Sequence, residues 1–380
     1  MLYLDHAATT PVRPEVLQAM LPYLTDRFGN PSSHHTVGEA AASALANARA
    51  RIAAILGFRP ADIVFTSGGT EADNLAVKGL AVGAALRRGA PAHVITTPIE
   101  HEAVLASCDY LERVHGFTVT RLPVDATGSV RADDLAAAIR PDTAVVSIGY
   151  ANNEIGTVQD AAALASVTTA ARVPLHLDAV QAAGWLPLAG TGADALSIAG
   201  HKIGAPQGIG VLAVRSRLPL EPVLHGGGQE RDRRSGTENL AGAVGLARAL
   251  ELAEAERENA SARVAALREP FTARVLALVP TARLTGHPTR RLPGTASFTF
   301  AGTSGEAVLL ELERRGVVTS SGSACAAGSD EPSHVLLACG IDPATAQTSV
   351  RFTFGHSHTA DLTPVADAVA QAVATVRSGG

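Results

Sequence analysis

Cysteine is scarce in this 380-residue chain: Cys108, Cys325 and Cys339 are too few and too scattered for a disulfide framework or a zinc site. Lysine is scarcer still. Of 31 basic residues only Lys78 and Lys202 are lysines, and every other one is arginine. A guanidinium cannot form a Schiff base, so a chain drifted this far toward arginine keeps lysine where a primary amine is needed. No apolar run approaches the length of a membrane span, and the opening stretch MLYLDHAATTPVRPE has no basic-then-apolar signal region. A net charge of −5 gives no global pull toward nucleic acid or anionic membrane. The expectation is a cytoplasmic protein that binds neither. With 46% hydrophobic and 18% charged residues, the chain can bury a large core and is not a disordered tail.

Helix and strand patterns alternate from about residue 37 to 260. Residues 37–56 place Val37, Ala41, Leu45, Ala48, Ile52 and Ile55 on one helical face, and the pattern stops at Gly57. DIVFT (62–66) predicts a short buried strand, followed by a helix over 70–89. HVITT (93–97), AVVSI (144–148), LHLDA (175–179), ALSIA (195–199) and IGVLAV (209–214) predict further strands between helical stretches. Short apolar strands with intervening helices imply an α/β fold whose mixed, mostly parallel sheet is covered on both faces. Residues 238–279 predict a long helix, whose charge run ELAEAERENASAR reads as a solvated face. Strands ASFTF (296–300) and SVRFTF (349–354) around a helix at 304–315 predict a smaller α+β unit. The expected division is a large domain at 13–254, with 1–12 and 255–380 forming the small one.

Three features carry chemistry. T-S-G-G-T-E (66–71) sits directly after a strand and before a helix. Two glycines let the backbone approach an anion, and the helix's free amides hold it. A plain strand–helix turn is the competing reading. The G-x-x-x-x-G-K-[ST] pattern is absent, which points to a phosphorylated cofactor rather than nucleotide hydrolysis. Asp178 ends the strand LHLDA, where such sheets bind ligands; it suits a metal ligand, a base, a cation partner or a helix cap. Lys202 lies just past another strand end, in S-I-A-G-H-K, whereas Lys78 lies mid-helix and reads as a snorkelling surface lysine. Together these are what a pyridine-aldehyde phosphate needs: a lysine for the Schiff base, an acid for the ring nitrogen and an anion site. Cys325 stands in S-S-G-S-A-C-A-A-G-S-D, a small and polar composition expected of an exposed loop. Cys108 and Cys339 stand in apolar surroundings and read as core. The histidine pairs His34–His35 and His356–His358 lack spaced ligand partners, so no metal site is expected.

The chain closely resembles the cysteine desulfurases of the bacterial nitrogen-fixation and iron–sulfur-cluster type. These belong to the class V aminotransferase family of fold-type I pyridoxal-phosphate (PLP) enzymes. The resemblance is carried in order by YLDHAATTPV (3–12), FGNPSS (28–33), VFTSGGTEADN (64–74), EHEAVL (100–105), NNEIGTVQ (152–159), HLDAVQAAG (176–184), GHK (200–202), HGGGQERDRRSGTEN (225–239), SSGSAC (320–325) and SVRFTFG (349–355). It implies that Lys202 forms the Schiff base with the cofactor and later moves the substrate Cα proton. Asp178 would pair with the pyridinium nitrogen, Gln181 with the ring hydroxyl, and His101 would stack on the ring and act in proton transfer, with Asn152 alongside. Gly69, Thr70 and His201 would hold the phosphate, and Thr237 would reach the phosphate of a partner subunit in a homodimer. Asn30, Asn152 and Arg351 would bind the substrate, L-cysteine. Cys325 would accept the sulfur as a persulfide and leave alanine, and a sulfur-acceptor protein would follow.

The resemblance leaves open whether that acceptor serves iron–sulfur assembly, tRNA thiolation or sulfur modification of DNA. A selenocysteine lyase or another fold-type I aminotransferase is the alternative enzyme, and a scaffold protein on the same fold is the non-enzyme. Two positions depart from the pattern. Ala199 stands where relatives often place a phosphate-binding serine, and Asp232 stands in place of a usual glycine.

Overall fold

The computed structural model describes residues 1–321 and 331–378. Its strands are β1 (Leu2–Tyr3), β2 (Ile63–Thr66), β3 (His93–Thr96), β4 (Thr118–Arg121), β5 (Thr143–Gly149), β6 (Leu175–Asp178), β7 (Ala195–Ala199), β8 (Gly210–Val214), β9 (Ala282–Leu284), β10 (Thr295–Phe300), β11 (Val317–Val318) and β12 (Val350–Thr353). Seven form the main sheet in the order β2-β8-β7-β6-β5-β3-β4. Only β8 runs against its neighbours, so the sheet is mostly parallel as its apolar strands predicted. Strand β4, a T-V-T-R edge strand with a half-polar pattern, has no apolar run to betray it.

One helix covering this sheet, Thr36–Leu56, ends as the sequence predicts: Gly57 takes a left-handed φ of 71° and donates its N–H to Ala53 O. The helix expected over 70–89 is instead three pieces. Gly69–Asn74 and Leu80–Arg88 are α-helical and flank a π turn at Leu75–Gly79. Backbone 219–221 crosses against Gly79 and Gly83, and Glu221 donates its N–H to the Gly79 carbonyl. That takes one acceptor from the helix ladder beside the turn.

The helix Leu240–Leu278 serves two cores. Its first third (Leu240, Leu246, Leu250) packs with the main sheet, and Val264, Phe271 and Val275 pack into a second cluster. That second cluster surrounds the antiparallel sheet β12-β10-β9, where Phe271 makes edge-on contacts with Phe298, Phe352 and Phe354. Leu4 is fully buried in the same cluster, and β1 pairs with β11. The N-terminal segment thus crosses from the smaller sheet to the rim of the larger one.

Cys108 and Cys339 are buried, and burial pushes their thiols up to about 12 and about 11, which leaves neither nucleophilic near neutral pH. His35 caps the helix that begins at Thr36, and His356 stacks on Trp185 at 3.9 Å. Among the described residues, no helix is long and apolar enough to cross a membrane.

Candidate active site

The strands of the main sheet that run in parallel end along one edge, and a cavity of about 290 Å3 opens there. Gly149 ends β5, Asp178 ends β6 and Ala199 ends β7; all three line the cavity. Gly69 and Thr70, at the start of the helix after β2, face the same space. His101, Asn152, Gln181, His201, Lys202 and Arg351, also singled out from sequence, line it too. Cys325 lies outside the described residues. Asn30 and Thr237 are exposed and do not line this cavity; the Asn30 side chain accepts from Ser32 N at 2.9 Å instead.

Each group is held by identifiable contacts. The Lys202 amine donates to the carbonyls of Ala7 and Ala8, the second at 2.8 Å. Gln181 donates to Ala7 O as well, so the N-terminal segment forms one wall. Lys78 has no part in this: its amine lies over the Tyr110 ring, 5.0 Å from the centroid, and outside the cavity. Gly69 has no room for a side chain, since a Cβ there would lie 2.7 Å from Val180 Cγ2 and 3.3 Å from Ala199 Cβ. A methyl at Ala199 therefore backs the glycine turn where a serine would offer a hydroxyl. Burial, then the charge of Lys202, pushes His201 down to about 4, so at neutral pH it offers an uncharged ring; Nδ1 shares a hydrogen with Thr9 Oγ1 at 3.1 Å.

His101 caps the helix Glu102–His115, its Nδ1 accepting from Ala103 N at 3.1 Å, which leaves the ring proton on Nε2. Asn152 is largely spent on the backbone: Oδ1 accepts from Glu154 N and Ile155 N, and Nδ2 donates to Ile99 O. It braces the loop that follows β5. Arg351 is 2% exposed, with one end of its guanidinium on Asp5 Oδ1 at 2.8 Å and the other on Asn153 O at 2.8 Å; Nε has no partner among the described residues.

Sequence reasoning missed two acids. Asp73 and Glu100 are almost fully buried, line the cavity, and each carries an oxygen with no hydrogen-bond partner among the described residues. Burial raises Glu100 to about 8, and it raises Asp73 and Asp178 above the usual carboxylate range. Their signals were weak: Asp73 reads as a polar helix residue of GGTEADN, and Glu100 as the neighbour of His101. Three desolvated acids, none ion-paired to a lysine or arginine among the described residues, fit a ligand that brings positive charge to this end, as a protonated ring nitrogen does. The glycine turn at a helix start suits a phosphate, and Lys202 suits an aldehyde. The residues present fit pyridoxal phosphate.

Asp232 also finds its explanation here. Glu230, Arg231 and Asp232 take φ of 51°, 59° and 64°, three left-handed residues in a row. Glycine occupies such a position at no steric cost, and aspartate is among the few side chains that tolerate it.

The family model for class-V aminotransferases matches residues 2–362. A cysteine desulfurase IscS of Methanosarcina thermophila is 44% identical over 380 residues, covering 99% of this chain and 93% of its own. A solved structure of a NifS-like protein superposes with a TM-score of 0.89 at 33% identity, covering all of both chains. Another, SspA in complex with cysteine, has a TM-score of 0.80 at 37% identity, covering 93% of this chain and 99% of its own. The chain belongs to the class-V aminotransferase family, whose members are pyridoxal-phosphate enzymes of fold-type I. Within that family its relatives are cysteine desulfurases.

Proposed function

We propose that this protein is a cysteine desulfurase: it binds pyridoxal phosphate, removes sulfur from L-cysteine, leaves L-alanine and carries the sulfur as a persulfide on Cys325. The observation that carries the reading is the meeting of Lys202, Asp178 and the Gly69–Thr70 turn in one cavity. The bound cofactor supplies an electrophilic aldehyde and a ring that accepts an electron pair. Asp178 keeps the ring nitrogen protonated, and Gln181 meets the ring hydroxyl. Gly69, Thr70 and His201 hold the phosphate, and His101 covers the ring face. Arg351 binds the substrate carboxylate, and Lys202 takes the Cα proton. The Cys325 thiolate then attacks the substrate sulfur: an S–S bond forms as the Cβ–S bond breaks, and the carbon, after protonation, leaves as alanine. Asn30 completes the substrate grip in this reading.

The working form is a homodimer in which Thr237 reaches the partner subunit's phosphate. Leu17, Leu21 and Leu24, all more than half exposed along one side of the helix Pro14–Leu24, together with Phe28, support a surface covered by a second copy. Residues 13–254 form the large domain, and 1–12 with 255–380 the small one that carries Cys325. The sulfur passes to an acceptor protein, in the cytoplasm.

Purified protein loaded with pyridoxal phosphate and given L-cysteine plus a reductant is expected to release alanine and sulfide in equal amounts. Lys202→Ala is expected to abolish both, and Cys325→Ser to abolish sulfide release. Undiminished activity in Cys325→Ser would favour an aminotransferase-like enzyme, and no activity with cysteine but turnover of selenocysteine would favour the lyase.

A further inference from the structure

The turn that faces the cavity at Gly69 and Thr70 is held from behind by a carboxylate. Helical backbone runs from Gly69 through the π turn to Arg88, and its first internal bond is Ala72 N to Gly68 O at 3.1 Å. The amides of residues 69–71 precede that bond, at the helix's N-terminal end. Glu71 reaches back over this end: its Oε2 accepts from Ser67 N at 2.8 Å, much as the acid of a capping box does. Thr66 Oγ1 donates to Gly68 O at 3.0 Å and adds a second tie across the turn.

A carboxylate in this place has a cost. It occupies the first turn of the helix end that is to hold a phosphate, and two anions at one helix end repel each other. The lysine and arginine side chains that line the cavity are engaged elsewhere, Lys202 on Ala7 and Ala8 and Arg351 on Asp5 and Asn153. The cation that meets Glu71 comes from outside the cavity. Arg234 donates from Nε to Glu71 Oε1 at 2.8 Å and from Nη2 to Oε2 at 3.3 Å, a bidentate pair with side chains 21% and 15% exposed. Burial pushes the Glu71 carboxyl up, but the bonds from Arg234 and Ser67 outweigh it and hold the group below its ordinary value. The arginine is itself well placed, because Glu230, four residues earlier, is bound to Arg49 and Phe65 N.

Building on the pyridoxal-phosphate reading, we propose that Arg234 is a positioning residue for the cofactor phosphate. Its charge cancels that of Glu71, so one carboxylate shapes the turn without opposing the dianion that the turn holds. The preference of the site for a phosphorylated ligand thus depends on a residue outside its lining.

The test uses the full chain and two ligands that share the ring and the aldehyde, pyridoxal phosphate and pyridoxal. Dissociation constants for both are read from the change in ligand absorbance on binding. Arg234→Gln leaves the charge of Glu71 uncancelled. It is expected to weaken pyridoxal phosphate about tenfold, or ~1.4 kcal/mol, while pyridoxal binding stays unchanged. Glu71→Gln keeps an oxygen for Ser67 N but removes the charge, so it is expected to raise the preference for the phosphorylated ligand. It decides the matter alone if Arg234→Gln does not fold. The double variant is expected to return to the wild-type ratio of the two constants. A wild-type ratio in Arg234→Gln, or in Glu71→Gln where only that variant folds, would overturn the proposal, whether both affinities fall together or neither moves. A wild-type protein that does not prefer pyridoxal phosphate over pyridoxal would instead overturn the function on which the proposal rests.

Discussion

Asp5 holds Arg351 across the interface between the N-terminal segment and the smaller sheet, one carboxylate oxygen 2.8 Å from Nη2. The guanidinium is buried, so the pair orients it before any substrate arrives, and Nε, without a partner among the described residues, leaves donor capacity unused. In the proposed reading, a substrate carboxylate adds a second anion to a cation already in place.

Arg351→Ala is therefore expected to lower kcat/KM for cysteine by about 100-fold, the value of about 3 kcal/mol from charge-assisted hydrogen bonds. The loss should fall mostly on KM. Asp5→Asn leaves the arginine present but poorly aimed and should raise KM by less. Steady-state kinetics on both variants checks the order; an unchanged KM in Arg351→Ala would remove this residue from substrate binding.

The left-handed turn at Glu230–Asp232 is pinned by a buried pair. Glu230 accepts from Arg49 at 2.6 and 2.7 Å and from Phe65 N at 3.0 Å, tying the segment that carries Thr237 to strand β2. Breaking one side of such a pair costs about 3 kcal/mol or more, so Glu230→Gln should unfold at clearly lower denaturant. Asp232→Gly should do the opposite and raise stability by about 0.5–1 kcal/mol, because glycine meets no steric penalty at this φ. Urea unfolding midpoints of the two variants are expected to move to opposite sides of the parent.

Glu100 makes a pH prediction with a definite sign. Burial raises it from 4.5 in the unfolded chain to about 8 in the folded one. The fold favours the neutral acid, so its contribution is complete below the unfolded value and is lost as pH rises toward 8. Cofactor-free Glu100→Gln, which has no proton to lose, should therefore gain stability over the parent at about pH 9 and much less at about pH 5. Thermal unfolding at the two pH values checks this; a constant gap would mean that Glu100 is not the group losing its proton.

Most of the frame was legible because its signals are local. The strand ALSIA was read to the residue, since a short buried strand bounded by turn residues leaves little choice, and Gly57 marked its helix end. The site residues lining the cavity were legible as motifs placed at strand ends. Asp73 and Glu100 were not, because an acid's burial depends on what packs over it from other strands and helices. The π turn at Leu75–Gly79 was not legible either; the backbone that bonds to its last residue, at Glu221, lies some 140 residues downstream. Asp232 looked anomalous until its backbone angle was known.

The account rests on a lysine that opens the substrate and a thiol that takes its sulfur. The most direct measurement is peptide mass mapping of the cofactor-loaded protein after one turnover with L-cysteine, without reductant. One added sulfur atom on the peptide that carries Cys325, absent from the Lys202→Ala protein, is the expected result. Alanine produced with no sulfur on that peptide, or sulfur found instead on Cys108 or Cys339, would contradict it.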